Sequence, residues 1–450
     1  MIPLTPGSNI YFIGICGTGM SNLARYFHAQ GFHVTGSDAA LGFYTAELLE
    51  EAGIGLYEGF DPSRISRVQP DAVIYSAAFS EDTNEELART VHLAVPAASY
   101  PEVLGFISRQ LPTICIAGTH GKTTTSYMTL LGLQYLGVAA APLIGAPFPI
   151  LEKSPAAAVI EACEYRWHFL RYRPAVSVIT SLDYDHVDCY PTRESYREAF
   201  ESFAQLTTGE LILHGEAALD TASYTCRVTR YGRDQIEPFG TLRRFLPWGL
   251  TAKPGVPGMH IAEDALAALQ AVRAWWLHVH QQELDLLQLQ GVLEAMCSYR
   301  GTSRRFEQLG EFGGVLFIDD YAHHPAEINA LLEGIREAYP ARRLVVDFVP
   351  HTVSRTRAFL DQFVQALSRA DVLILQEIYL SQREMDSTDP LSSRDLADRI
   401  PGARYCRDGQ EAFQVINGLL QEGDLCITMG AGDNRDVGRA LAAARKGERA

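Results

Sequence analysis

The sequence predicts an α/β protein built from three successive parallel sheets, and three observations carry that prediction. Short β-rich apolar runs alternate with stretches of helical apolar spacing along most of the chain, a pattern that puts helices on both faces of a parallel sheet. Several of those runs end in glycines or in clusters of acidic residues and histidine, where ligands of parallel sheets bind. At 450 residues the chain exceeds one ordinary core and corresponds to about three domains.

Taken in order, residues 10–16 (IYFIGIC) read as a strand ending in a glycine turn that opens the helix of SNLARYFHAQ. FHVTGSD is a second strand ending at Asp38, AELLEEAG a helix closed by Gly53, and DAVIYSAA a third strand. A second unit begins near Leu111, where the strand TICIAG feeds the loop AGTHGKTTTS and a helix through TTSYMTLLGLQYLG. The tract VAAAPLIGAPFPILEKSPAAA, rich in proline and alanine, predicts a loop; AVIEACEY and AVSVITSLDYDHVD predict two strands. LTAKPGVPGMH precedes a long helix around EDALAALQAVRAWW. After YRGTSRRFE a third unit runs through VLFIDDYAHHP, EINALLEGIREA, RLVVDFVP, RAFLDQFVQALSRA, DVLILQEIY and DLCITMGAG, again alternating strands with helices. The expected domains are therefore 1–108, 109–303 and 304–450.

Composition narrows the function. The chain is 47% hydrophobic and 20% charged with no low-complexity tract, which excludes disordered and fibrous classes. A net charge of −16 argues against nucleic acid as a partner. Eight cysteines without a CxxC pair read as reduced, small buried residues. No basic stretch precedes the first apolar run and none approaches the ~20 apolar residues of a membrane helix, so a cytoplasmic protein with no membrane partner is expected.

Four clusters carry chemistry. Gly14, Gly17 and Gly19 follow the first strand, and Asp38 ends the second. This is either a structural turn or a site where a helix N-terminus meets a nucleotide diphosphate. The order G-x-x-G-x-G is not the dinucleotide fingerprint, so an NAD oxidoreductase is a weak reading. GTHGKTTT is a phosphate loop with shortened spacing: Ile116 stands where the usual first glycine would be, and Gly118 lies three before Gly121. Lys122 would neutralise β- and γ-phosphate charge and the Thr123 hydroxyl would reach a magnesium ion. Glu161, Glu164, Asp183, Asp185, His186 and Asp188 lie at the ends of neighbouring strands, as a phosphoryl-transfer metal requires. In the third unit DDYAHHP gathers Asp319, Asp320, Tyr321, His323 and His324, and PHTVSRTRAF brings Arg355 and Arg357, suited to gripping a carboxylate or phosphate. The adjacent histidines lack a spaced third zinc ligand.

These motifs resemble the Mur ligase family, the ATP-dependent amide-forming enzymes of peptidoglycan synthesis, over nearly the whole chain: GICGTGM, GSD, GTHGKTTT, EACEYRWHFL, DHVD, RRF, DDYAHHPAEI, PHTVSRTRAFLDQF and MGAGD. DDYAHHP with PHTxSRT is closest to the branch that adds L-alanine to UDP-N-acetylmuramate. The resemblance implies an N-terminal Rossmann-like domain for the UDP-sugar, a central P-loop ATPase-type parallel sheet, and a C-terminal Rossmann-like domain for the amino acid. It implies ATP and Mg2+ as cofactors, with Thr123, Glu161 and His186 on the metal. Gly118, Thr119, Gly121, Lys122, Thr123, Thr124 and Arg305 would lie on the nucleotide. Gly17, Thr18, Gly19, Ser37, Asp38 and Ser76 would lie along the UDP-sugar. Lys122, His323, Arg355 and Asp320 would be catalytic, with Tyr321, His323 and Arg355 around the amino acid. A monomer or homodimer is expected, and no carbamylated lysine.

The chain departs from the family twice. HIAED (residues 260–264) stands where His-Asn-x-x-Asn is usual, putting Ile261 and Asp264 at the asparagine positions, and GAPFPILEKSP replaces a glycine-rich segment. A paralogue using another amine, such as a tripeptide, and a non-catalytic UDP-sugar or ATP sensor are the competing readings.

Overall fold

A computed structural model describes residues 5–150, 154–187, 189–380, 390–430, 432 and 434–447. Asp188, part of GAPFPILEKSP (151–153) and two positions of MGAGD (431 and 433) lie outside the described residues.

The first sheet is wholly parallel, in the order β3-β2-β1-β4-β5, from β1 (Asn9–Ile13), β2 (His33–Asp38), β3 (Gly55–Glu58), β4 (Ala72–Tyr75) and β5 (Ala97–Ser99). The second is also parallel, ordered β11-β10-β9-β6-β8-β7: β6 (Thr113–Ala117), β7 (Ala140–Leu143), β8 (Ala157–Glu161), β9 (Val176–Ile179), β10 (Glu210–His214) and β11 (Arg227–Tyr231). In both, the strand feeding a glycine turn is flanked by parallel neighbours, so its carboxyl end opens where the loops diverge.

The tract expected to be loop contains β7. Its alanines and Pro142 have little strand propensity, but β7 is an edge strand, where a missing N–H costs no ladder bond, and it pairs along β8. A small antiparallel sheet, β12 (Ile236–Phe239), β13 (Leu242–Phe245) and β14 (Leu250–Ala252), was not expected either.

The last sheet is mixed, in the order β15-β16-β20-β17-β18-β19: β15 (Glu307–Phe312), β16 (Val315–Asp320), β17 (Leu344–Val349), β18 (Val372–Gln376), β19 (Arg404–Cys406) and β20 (Leu425–Gly430). Its antiparallel edge comes from the hairpin β15–β16, turned by Gly313 and Gly314, both at positive φ (57° and 76°) as a two-residue hairpin demands. RAFLDQFVQALSRA (357–370) begins in the last two residues of a short helix, Val353–Ala358, and holds a second, Leu360–Leu367, the two divided at Phe359.

The chain packs as two compact units, residues 1–253 with 263–297, and residues 254–262 with 298–450. The first two sheets share one core: Phe12, Leu23 and Leu104 belong to the same buried cluster as Cys115, Phe169 and Phe200. The helix Tyr100–Gln110 runs through position 108. Five cysteines are buried as expected, whereas Cys163 is exposed and Cys189 and Cys226 are partly so. Among the described residues no helix is long and apolar enough to cross a membrane.

Candidate active site

The first glycine turn is set by hydrogen bonds from β1 to β2. The N–H groups of Gly14 and Ile15 donate to the Ser37 carbonyl at 2.8 and 3.1 Å, and Cys16 N–H donates to Asp38 Oδ2 at 2.8 Å. Gly14 sits at φ +81° with room for no Cβ, which would lie 2.8 Å from the Phe79 ring. The turn borders a cleft of about 330 Å³, lined in part by Gly14, Gly17, Thr18, Asp38 and Ser76, at the N-terminus of the helix Thr18–Ala29. That helix start has no side-chain cap, so its N–H groups face an anion-sized space.

Two predicted residues serve elsewhere. Successive strand residues face opposite sides, so Asp38 meets the cleft while Ser37 is fully buried and donates its hydroxyl to Glu86. Glu86 also accepts from Arg64 (2.6 Å) and Tyr11 (3.1 Å), closing a network beneath the turn. Gly19 is an approach glycine: a Cβ there would lie 2.5 Å from the Tyr100 hydroxyl oxygen.

The phosphate loop follows fully buried β6 and opens the helix Lys122–Tyr135. Gly118 (φ +138°) and Gly121 (φ +77°) both require glycine, since a Cβ would lie 2.1 Å from Thr180 Oγ1 and 2.6 Å from Asp264 Oδ1 respectively. Side chains pin the loop from β9 onward: Thr180 donates to His120 O, Ser181 Oγ accepts from His120 N–H at 2.8 Å, and Thr119 Oγ1 donates to Asp183 O at 2.6 Å. His120 Nε2 lies 3.2 Å from Asp183 Oδ2.

Lys122 folds back over this loop. Its ammonium donates to Gly118 O, to Thr119 O (3.2 Å) and to Glu164 (3.3 Å). Burial opposes the lysine's charge, but Glu164 and its acidic neighbours outweigh it and raise the pKa. Glu164 is 1% exposed; burial disfavours its charge too, yet Lys122 and then His186, whose Nε2 is 3.4 Å away, hold it below the ordinary carboxylate range. Thr123 Oγ1 lies 3.0 Å from Glu161 Oε2, which also accepts from Gly145 N–H at 2.8 Å. Thr124 is buried in the same helical turn. Three non-glycine residues close to Glu164, Arg166, Trp167 and His186, have positive φ (51°, 55° and 54°), the strain that accumulates at functional sites. Asp264 accepts from Thr125 Oγ1 at 3.0 Å and abuts Gly121, so it supports the loop from below, while Ile261 is buried.

Among the described residues no group of three or more metal-ligating side chains is assembled. Magnesium needs none: it takes one or two carboxylates and completes its shell with water and substrate phosphates. Thr123 and Glu161 offer such an oxygen pair, whereas His186 is turned to Glu164.

In the second unit β16 is buried throughout; its Asp319 accepts from the Thr428 hydroxyl at 2.7 Å, and its Asp320 is turned to backbone groups. Asp320 accepts from the N–H groups of Phe306 and Ala322, both at 2.7 Å, and burial pushes its pKa up to about 6. Expected to be catalytic, it instead fixes the turns that carry Arg305 and Tyr321, because β16 points it inward. His324 accepts from Ala326 N–H at 3.3 Å and caps the helix Pro325–Ala338; the histidine pair is thus divided between two tasks. His323 Nδ1 is 2.9 Å from Tyr321 O and 3.3 Å from Glu327 Oε2, so two acceptors hold a proton on Nδ1. The rings of His323 and His351 are 5.6 Å apart, and Arg355 Nη1 lies 3.0 Å from His351 Nδ1. Arg355 is 8% exposed, whereas Arg357 faces out. Arg305 lies 5.5 Å from the Tyr321 ring and 3.9 Å from Glu327. His351 and Glu327 were not singled out from sequence; PHTVSRT and the capping position after His324 are where they showed. Arg304, also unanticipated, clamps Gly430 O (2.8 Å) and Gly432 O (3.0 Å).

Comparison with known proteins agrees with this arrangement. The family models described as Mur ligase family, catalytic domain, Mur ligase middle domain, and Mur ligase, glutamate ligase domain match residues 9–111, 116–272 and 304–432. A UDP-N-acetylmuramate--L-alanine ligase from Desulfitobacterium hafniense is 34% identical, covering 96% of this chain and 99% of its own. One from Treponema pallidum is also 34% identical, covering 97% and 96%. The fold is shared with the crystal structure of UDP-N-acetylmuramate-alanine ligase from Thermotoga maritima (TM-score 0.78, 24% identity, 98% and 100% covered). It is shared also with the MurF ligase of the same organism in complex with ADP (TM-score 0.57, 15% identity, 92% and 93% covered). Related over nearly its full length to such enzymes, and matched by the family's models in all three parts, the chain belongs to the Mur ligase family.

Proposed function

We propose that this ligase joins L-alanine to the lactyl carboxylate of UDP-N-acetylmuramate, with ATP and Mg2+, in the cytoplasm. The observation that carries the reading is the full-length likeness to curated L-alanine ligases at 34% identity. The division into domains 1–108, 109–303 and 304–450 is supported by three sheets and by family matches breaking at 111–116 and 272–304.

The N–H groups around Gly118–Thr124 cradle ATP phosphates, and Lys122 exchanges its loop carbonyls for phosphate oxygens. Thr123 and Glu161, with His186 alongside, would hold Mg2+, which would offset charge on the transferred phosphoryl group. The Gly14–Ser76 cleft receives the diphosphate of the UDP-sugar. Its lactyl carboxylate attacks the γ-phosphorus, releasing ADP and forming an acyl phosphate, because a free carboxylate has no adequate leaving group. Arg355 binds the alanine carboxylate, and His323 Nε2 takes the ammonium proton so that a neutral amine attacks. The tetrahedral adduct collapses to the amide and inorganic phosphate.

Phosphate release from ATP and magnesium with UDP-N-acetylmuramate, run with L-alanine, glycine, L-serine or the L-Ala-γ-D-Glu-diaminopimelate tripeptide, tests this. Release that requires L-alanine, with the alanyl product seen by mass, is the expected result. Release with another amine alone makes the protein a sister ligase; binding without release under any amine makes it a sensor.

A further inference from the structure

One cavity belongs to none of these sites. It has a volume of about 760 Å³ and shares no lining residue with the Gly14–Phe79 cleft or the phosphate loop. It lies at the other end of β4 from Ser76, where Ala72–Ile74 form part of one wall. Phe27, Phe32 and Phe106 supply aromatic surface. The opposite wall is the turn Leu170–Arg173, which leads from EACEYRWHF into β9 of the second sheet. That turn is seated by a glycine: a Cβ on Gly105 would lie 2.7 Å from Arg171 O, so no larger residue lets the helix Tyr100–Gln110 approach it.

Three arginines rim this apolar space: Arg109, Arg171 and Arg173. Arg109 and Arg173 donate to main-chain carbonyls, those of Arg171 (3.4 Å) and Tyr172 (2.8 Å), and among the described residues neither forms an ion pair. Arg171 meets Glu102 only at 3.8 Å, with both side chains about half exposed (52% and 44%), a pairing worth little in water. In a chain carrying −16 net charge, three cations against one exposed carboxylate make a locally positive rim. Volume, aromatic wall and convergent charged groups are what a small-molecule site combines.

We infer that this cavity binds a small amphipathic anion: a flat apolar body seated against Phe27, Phe32 and Phe106, with a carboxylate, sulfonate or phosphate gripped by Arg109 and Arg173. Its occupant touches the first sheet and the turn that follows Glu164, so it fixes the one against the other. The site is independent of the proposed reaction, and its test does not read catalysis.

The probe is 1-anilinonaphthalene-8-sulfonate, titrated by fluorescence into the full-length protein. The variants are Arg109→Ala/Arg173→Ala, which removes the charges, and Ala97→Trp, which fills the cavity from an exposed edge-strand position without touching the arginines. Arg244→Ala, an arginine stacked on Phe239 in the small antiparallel sheet, controls for general loss of positive charge. Thermal melts confirm that each variant is folded. Expected is one saturable site, weakened at least tenfold in the double variant and in Ala97→Trp, unchanged in Arg244→Ala, and retained under saturating ATP and UMP. Unsaturable binding, wild-type affinity in either cavity variant, or displacement by ATP or UMP overturns the inference.

Discussion

Glu164, just beyond β8 in the first unit, and Asp347, within β17 in the second, are both buried carboxylates, and their surroundings drive them in opposite directions. Glu164 has Lys122 and His186 within 3.4 Å and is held ionised. Asp347, on β17, is fully buried with only the neutral Gln376 amide donating to it, at 2.7 and 3.0 Å, and burial raises its pKa to about 7. The contrast separates a carboxylate kept charged for work on phosphate from one kept close to neutral by the sheet, and four substitutions probe it.

The largest effect is expected at the cation. Lys122→Ala removes the group proposed to meet the transferred phosphate, and kcat/KM for ATP should fall about 10³-fold or more, on the order of 4 kcal/mol of transition-state stabilisation. It also strands Glu164, so the melting temperature should fall as well. Pairing it with Glu164→Gln should restore much of the stability and none of the activity; recovery of both in phosphate-release and melting assays would show that Lys122 is only a structural partner.

Glu164→Gln alone reverses the test. Leaving Lys122 buried without its carboxylate should cost about 3 kcal/mol at pH 7. Because the folded-state pKa of Glu164 is lowered, its contribution is present above the ordinary value of 4.5 and lost as pH falls through the folded value. The variant and the natural protein should therefore converge in stability only in acid. A penalty that does not change between pH 7 and pH 3.5 would contradict the ion pair.

The phosphate loop was legible from sequence because its glycines, lysine and threonines are contiguous and their spacing is chemically constrained. The Asp320 outcome was not: DDYAHHP reads as a catalytic cluster, but alternation along β16 and the need to satisfy Phe306 and Ala322 N–H groups turn that carboxylate inward. Ser37 shows the same effect: one residue along the strand from Asp38, its side chain faces Glu86 in the core. β7 was missed because edge pairing overrides weak local propensity, and the left-handed backbone at Arg166, Trp167 and His186 has no composition that announces it. What a sequence shows is which groups are near in the chain; which face each takes is decided by partners far along it.

Arg355→Ala extends the comparison to the second unit's buried cation. Loss of the guanidinium beside His351 should raise the KM for L-alanine roughly 100-fold, about 2–3 kcal/mol, while leaving the KM for ATP within twofold. Arg355→Lys should recover part of it, since a point charge replaces a bidentate fork. An equal rise in both KM values in steady-state assays would assign Arg355 to folding rather than to the amino acid.

The effect on activity is smallest, and the contrast with Glu164 is completed, at Asp347→Asn. The folded-state pKa of Asp347 is raised from 3.8 to about 7, so its contribution to stability is fully present below about 3.8 and is lost as pH rises through about 7. Asparagine stays neutral throughout and keeps an oxygen for the Gln376 amide, which can turn to serve the new donor. The variant should match the natural protein near pH 4 and exceed it at pH 8 by up to about 4 kcal/mol, the worth of a pKa raised from 3.8 to about 7, seen as a rise in melting temperature. Glu164→Gln loses stability where Asp347→Asn gains it, and both differences close toward acid pH. Thermal melts of the two variants between pH 4 and pH 8 measure this directly: a gain at Asp347 that is already complete at pH 4 would mean that packing, rather than ionisation, sets its cost, since a packing difference has no reason to follow the titration of the carboxyl group.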